Sequence, residues 1–171
     1  MPAATFTPVD DVVSQATSAG FFPGRHAVDV TDVRRLSDGV FRLTFRDGYI
    51  AAHAKAAQFV NLFSHDSMML MPRPFGVSEV RDDLVSVIFA VVGKGTQEFS
   101  RLHAGGPGST CSARSAARST RKRDAHYLLV GGGLGVPPLI YAAQRLQASE
   151  KSHSTAVFGY RNVHFADEIV T

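Results

Sequence analysis

The chain has 171 residues, 44% of them apolar, one cysteine and a formal net charge of +3. That length suits one domain or two small ones. The longest apolar run, Val85 to Val92 with one serine inside, is too short to span a bilayer, and a lone thiol excludes an internal disulfide framework or a multi-thiolate metal site.

The N-terminus, MPAATFTPVDDVV, lacks the cationic start and apolar core of a secretory signal, so a cytoplasmic location is expected. Residues 1–24 read as a loose lead-in with one short helix near 9–18. From His26 the texture changes. AVDVTDVRRL alternates apolar and polar, Ser37-Asp38-Gly39 supplies a turn, and VFRLTFRD alternates again, which predicts a hairpin. QFVNLFS and PFGVSEV read as further strands, and DDLVSVIFAVV as a strand buried on both faces. Short strands between turn signals predict an antiparallel barrel or sandwich.

Past Val92 the period changes. GKGTQEFSRLHAGG opens with glycines and Thr96, a plausible N-cap, and sets Phe99 and Leu102 at helical spacing. HYLLV reads as a buried strand, GGGLG as a sharp turn and VPPLIYAAQRLQA as a helix with prolines in its first turn. TAVFGY is the next strand. Strand, glycine turn, helix, strand opens a parallel βαβ layer, and one such unit cannot cover its own sheet, so an incomplete domain is expected.

Between these halves lies GSTCSARSAARSTRKRD, residues 108–124, with no large apolar side chain. It carries Arg114, Arg118, Arg121, Lys122 and Arg123; without those five, 13 Lys and Arg face 15 Asp and Glu, a balance of −2. The basicity is local and no aromatics are interleaved with it, so neither a nucleic-acid partner nor a membrane is expected.

Three stretches could carry chemistry. Gly131 to Pro138, GGGLGVPP, sets a glycine turn between a strand and a helix start, where free N–H groups and the helix dipole favour an anion. It lacks the dinucleotide G-x-G-x-x-G spacing and reads equally as a tight turn. Gly93 to Thr96, GKGT, repeats that logic on a smaller scale but fails the Walker spacing, and taken alone it reads better as a helix cap with a solvated lysine. Arg73 to Gly76, RPFG, offers a guanidinium fork suited to a diphosphate and a ring in Phe75 that could face a flat ligand or simply fill the core. The seven histidines show no metal-ligand spacing, the carboxylates form no acid–base pair, and Ser64-His65-Asp66, being contiguous, cannot fold into a triad.

Taken in order, QFV, RPFG-V, VVGKGT, LLVGGGLGVPPL and FGYRN resemble the electron-transfer subunit of bacterial dihydroorotate dehydrogenase, a member of the ferredoxin–NADP reductase superfamily. The likeness runs from about Ala27 to Ile169. It implies a flavin-binding antiparallel β-barrel over 25–122 and the start of an NAD-binding α/β domain over 123–171. It also implies FAD, NAD and a [2Fe-2S] cluster on four cysteines in a small C-terminal segment. Electrons would pass between NAD and the FMN of a dihydroorotate dehydrogenase catalytic subunit, in a heterotetramer of two of each subunit, in pyrimidine biosynthesis. By position, Arg73, Pro74, Phe75 and Gly76 match the flavin-contacting motif. Val91, Gly93, Lys94, Gly95 and Thr96 match the cradle of the FAD diphosphate. Gly131, Gly132, Gly133, Gly135 and Pro137 match the turn beneath the nicotinamide nucleotide. Two other readings stay open: a stand-alone NAD(P)H–flavin or NAD(P)H–ferredoxin reductase of the same superfamily, and a non-catalytic interaction module.

The sequence departs from the family at several places. Gly76 stands where the motif continues with Ser or Thr. Ala56-Ala57 replaces Pro-Gly ahead of Gln58-Phe59-Val60. The cluster cysteines are missing, and Cys111 is far from their expected place. Finally, residues 109–120 replace a barrel strand of the type D-V-L-G-P-L-G-x-x-F. Read one nucleotide earlier, codons for Ser-Thr-Cys-Ser-Ala-Arg-Ser-Ala-Ala-Arg-Ser-Thr permit Phe-Asp-Val-Leu-Gly-Pro-Leu-Gly-Arg-Ala-Phe-Asp. This predicts out-of-frame translation over roughly residues 106–122, ahead of two competing readings, a true basic linker and a docking loop. As written, the run is expected to deprive the barrel of that strand, leave a neighbour with an unpaired edge and so impair folding.

Overall fold

A computed structural model describes residues 25–66, 68–105, 110–116, 125–148, 152–161 and 163–166. The helix expected near 9–18 lies outside them.

Six strands close an antiparallel barrel in the order β1-β2-β5-β4-β3-β6. They are β1 (His26–Ser37), β2 (Val40–Arg46), β3 (Phe59–Phe63), β4 (Arg73–Arg81), β5 (Leu84–Ala90) and β6 (Thr110–Ala116). The β1–β2 hairpin turns at Gly39, whose φ of +68° suits a residue without a side chain. Alternation then sorts the faces. Val28 and Val30 of β1, Leu43 and Phe45 of β2, and Val85, Val87 and Phe89 of β5 point inward to one core with Val60, Leu62 and Val77. A short helix, α1 (Gly48–His53), begins at Asp47, whose Oδ1 accepts a 2.8 Å bond from the Ile50 N–H.

The strand at 110–116 corrects one expectation. The barrel keeps its sixth strand: β6 pairs antiparallel with β1 through Val28↔Cys111 and with β3 through Val60↔Ser115, so neither neighbour is left with an open edge there. A ladder is made by main-chain groups, and residues poor in apolar side chains can still form one. The rest of the predicted out-of-frame run lies outside the described residues.

Beyond the barrel, β7 (His126–Gly132) and β8 (His153–Gly159) form a parallel pair, joined through a 3₁₀ turn (Gly133–Gly135) and α3 (Val136–Gln147). Helix α3 packs on the barrel as well as on its own strands. Ile88, on the outer face of β5, is buried with Val136, Ile140 and Ala166, which is why β5 is covered on both sides. Tyr141 belongs to the barrel's core cluster, and its hydroxyl donates to the Ala54 carbonyl at 3.3 Å. The opposite face of β7–β8 leaves Leu128, Val130 and Val157 more than half exposed.

Candidate functional site

Strand β4 delivers Arg73, Pro74, Phe75 and Gly76 to the barrel wall beside α2 (Lys94–Phe99), the helix that follows β5. The Arg73 guanidinium lies flat against Gly95. A Cβ at Gly95 would stand 2.8 Å from Arg73 Nε and 3.0 Å from Cζ, so the absence of a side chain there lets the cation approach the start of α2. Arg73 Nη1 donates to the Met71 carbonyl, and Nη2 lies 3.5 Å from Met69 Sδ. The chain reverses at Val92–Gly93 around the Thr96 hydroxyl. That hydroxyl accepts from Val92 N at 2.9 Å and Gly93 N at 3.2 Å, and donates to the Gly93 carbonyl at 3.0 Å. Gly93 and Lys94 are exposed while Gly95 and Thr96 are buried. The half-buried Val91 holds the loop to the hairpin turn through a 2.8 Å bond from its N–H to the Gly39 carbonyl.

Between these elements lies an open cavity of about 240 Å³, walled by Pro74, Phe75, Gly76, Ala90, Thr96 and Leu134. It is smaller than the roughly 300–1,000 Å³ that receives a whole drug-sized ligand, so it suits one ring system of a larger, surface-lying molecule. The Phe75 ring is half-buried in an aromatic cluster, 5.2 Å from Phe89 and 6.0 Å from Phe99 between centroids, and so is also a packing residue.

Leu134 brings the glycine turn to the same cavity. Within that turn the residues separate by role. Gly131 is a packing glycine, since a Cβ there would meet Leu139 Cδ1 at 2.6 Å. Pro137 is fully buried. Gly132 and Gly135 are exposed, and Gly133 adopts a φ of +52°. An approaching phosphate would meet these three, not Gly131 or Pro137.

A further connection has no local sequence signature. Glu98, on α2, accepts from the Ser64 hydroxyl and from the His65 backbone N–H at 2.8 Å, and its Oε1 lies 3.1 Å from His65 Nδ1. Burial pushes the Glu98 carboxyl up, but the Ser64 and His65 contacts outweigh it and hold the group below its usual value. This carboxylate ties α2 to the loop that leads into Arg73. Nothing in the local sequence links residues 34 positions apart.

For a [2Fe-2S] cluster, this chain offers one cysteine. Among the described residues no group of three or more His, Cys, Asp or Glu could hold a metal ion.

No family model matches the chain. Curated relatives do. It is 28% identical over 141 residues to the dihydroorotate dehydrogenase B (NAD(+)) electron transfer subunit of Streptococcus mutans, covering 78% of this chain and 52% of that protein. It is 30% identical over 141 residues to the same subunit of Streptococcus thermophilus, again covering 78% and 52%. With the Clostridium acetobutylicum subunit the identity is 26% over 113 residues, 66% of this chain and 45% of that one. The chain thus spans about half the length of the curated relatives it matches. Among solved structures, an NADH-dependent reduced ferredoxin–NADP oxidoreductase superposes with a TM-score of 0.69 at 22% identity, over 86% of this chain and 54% of that one. Phthalate dioxygenase reductase superposes at 0.67 and 13% identity, over 86% and 48%. These two establish the architecture. By sequence the chain is similar to the dihydroorotate dehydrogenase B electron-transfer subunits, and its fold is ferredoxin–NADP reductase-like.

Proposed function

We propose that this chain binds FAD across Arg73–Gly76 and Val91–Thr96, and a nicotinamide nucleotide at the Gly132–Gly135 turn. In that reading it passes electrons between NAD and the FMN of a dihydroorotate dehydrogenase catalytic subunit. The observation that carries the reading is the Arg73 guanidinium against Gly95, beside a cavity open between β4, α2 and the glycine turn. A cation beside exposed main chain matches a diphosphate, and the cavity next to it matches a flat ring. Bound FAD would supply the redox chemistry, taking electrons as a pair from a nicotinamide and handing them on.

The chain's own residues bind and position. Arg73 neutralises the diphosphate, the Thr96 hydroxyl sets the shape of the Val92–Gly93 reversal, and Phe75 fixes the ring wall through Phe89 and Phe99. Leu134 closes one side of the cavity, and Gly76 brings no hydroxyl to it.

The test is a titration of the purified chain with FAD, followed by quenching of flavin fluorescence. Saturable one-to-one quenching supports the reading, and its absence sinks it. NADH oxidation in the presence of the catalytic subunit, against ferredoxin or free flavin as acceptor, then separates the electron-transfer subunit from a stand-alone reductase.

A further inference from the structure

The loop that enters Arg73 is rich in sulfur. Residues 68–71 read Met-Met-Leu-Met and hold three of the chain's four methionines, so thioether chemistry is concentrated there. Met68 and Met71 are 85% and 73% exposed, while Met69 is partly buried. The backbone of this loop is held in place. The Asp66 carbonyl accepts from Met69 N at 2.9 Å, and Asp66 Oδ1 accepts from Met68 N at 2.9 Å. Asp66 N donates to the Ser64 hydroxyl oxygen at 2.9 Å, and that hydroxyl donates to Glu98 on α2. The Met69 side chain therefore projects from an anchored turn.

Its sulfur ends on the cation of the candidate site. Met69 Sδ lies 3.5 Å from Arg73 Nη2. The same Nη2 would stand 3.0 Å from a Cβ at Gly95, so one guanidinium nitrogen sits between the methionine loop and the start of α2. Nη1 is taken by the Met71 carbonyl, and no carboxylate pairs with Arg73 among the described residues. What aims Nη2 is thus a thioether, one of the weakest acceptors a side chain offers.

We infer that Met69 is an oxidation site whose modification by a peroxide re-aims Arg73. The peroxide gives one oxygen atom to the thioether. Its O–O bond breaks, an S=O bond forms, sulfur loses two electrons, and the peroxide leaves as water or an alcohol. The sulfoxide oxygen is a strong acceptor where the sulfur was a weak one. It captures Nη2 on the loop side and draws the guanidinium away from Gly95. Met68 and Met71 take oxygen too, being exposed, but the sulfur bonded to Arg73 is that of Met69. The consequence for a ligand rests on the FAD reading: with Arg73 turned to the loop, the diphosphate is held less tightly.

The full chain is titrated with hydrogen peroxide and sulfoxides are located by peptide mass spectrometry. The Arg73 side-chain Nε–H signal is followed by ¹⁵N NMR before any flavin is added. Oxygen at Met69 is expected to shift that signal, and a methionine sulfoxide reductase to return it. With the peroxide removed, FAD should bind the oxidised chain about tenfold more weakly, the scale of one charge-assisted hydrogen bond. Met69→Leu, close in volume and unable to take oxygen, should leave peroxide without effect on either reading. Met68→Leu combined with Met71→Leu should keep both effects. Four results overturn the inference: no sulfoxide at Met69 once Met68 and Met71 are converted, an Arg73 signal unmoved by it, an equal shift in Met69→Leu, or unchanged affinity in a chain that binds FAD. A signal that moves in a chain binding no FAD before or after treatment supports the oxidation site and tells against the flavin reading instead.

Discussion

Gly76 and Pro138 are in direct contact across the seam between barrel and helix α3: a Cβ at position 76 would stand 2.8 Å from Pro138 Cβ and 2.9 Å from Cγ. The resemblance read from Arg-Pro-Phe implies a hydroxyl residue at the position where this chain has glycine. Here that side chain has no room. Gly76→Ser is therefore expected to destabilise the fold by about 1–3 kcal/mol, the range for overpacking a tight contact. Gly76→Ser combined with Pro138→Ala should recover most of the loss. Urea denaturation of both variants checks this, and equal midpoints for wild type and Gly76→Ser would refute it.

Arg73 depends on Gly95 in the same geometric way. Gly95→Ala places a methyl where the guanidinium lies, so the cation must leave the start of α2. If FAD is held there, its affinity should fall by about tenfold or more, since a charge-assisted hydrogen bond contributes about 1.5–3 kcal/mol. Alanine suits a helix better than glycine, so folding stability should not fall in parallel. The flavin titration reads the first effect and a thermal melt the second.

Ala57 adopts a φ of +59°, in the left-handed region. This is the position where the family's Pro-Gly would place its glycine. The strain costs an alanine about 1–2 kcal/mol, against about 0.4–1 kcal/mol of chain entropy that glycine forfeits. Ala57→Gly should raise stability by up to about 1 kcal/mol, measurable as a shift in denaturation midpoint with an unchanged slope.

Glu98 makes stability depend on pH. Its carboxyl is depressed in the folded state, so its contribution is fully present above the unfolded carboxyl's pKa. The contribution is lost as pH falls through the lower folded-state value. Glu98→Gln should remove that dependence and cost about 1 kcal/mol at neutral pH, a value reduced by partial solvent screening. A wild-type stability profile that Glu98→Gln leaves superimposable from mildly acidic to neutral pH would exclude the role.

The basic run gains a sharper test from the topology. Strand β6 spans Thr110–Ala116, seven positions whose codons in the neighbouring frame permit Asp-Val-Leu-Gly-Pro-Leu-Gly. Replacing residues 109–120 by Phe-Asp-Val-Leu-Gly-Pro-Leu-Gly-Arg-Ala-Phe-Asp should raise Tm by on the order of 10 °C. That follows from two or three buried apolar side chains at about 1.5–3 kcal/mol each and about 2–4 °C per kcal/mol. An unshifted gene sequence across these codons, with no gain in Tm, would make the run a genuine basic strand.

Much of the barrel was legible because strand periodicity is local. VFRLTFR and LVSVIFA announce their faces within seven residues, and the glycine turn before VPPLIYAAQRL announces a parallel crossover. The sixth strand was not legible, because residues 110–116 show no apolar alternation and only their main-chain partners place them. The candidate site was half legible. RPFG, GKGT and GGGLG were visible as separate pieces, but the Gly95–Arg73 and Gly76–Pro138 contacts depend on chain segments meeting across the barrel. The packing roles of Gly131 and Pro137 were hidden for that reason too.

Tyr141 and Ile88 carry one more consequence. Each reaches across to the other module: the tyrosine is buried with the barrel's own core residues, and the isoleucine with Val136 and Ile140 of the helix. Two strands and one helix own too little apolar surface to fold alone. What looks like two beads on a string is, in material terms, a mortise and its tenon. Anyone grafting this barrel onto a different nucleotide module would have to transplant the joint, and a cut between the two modules would leave both pieces with an open socket.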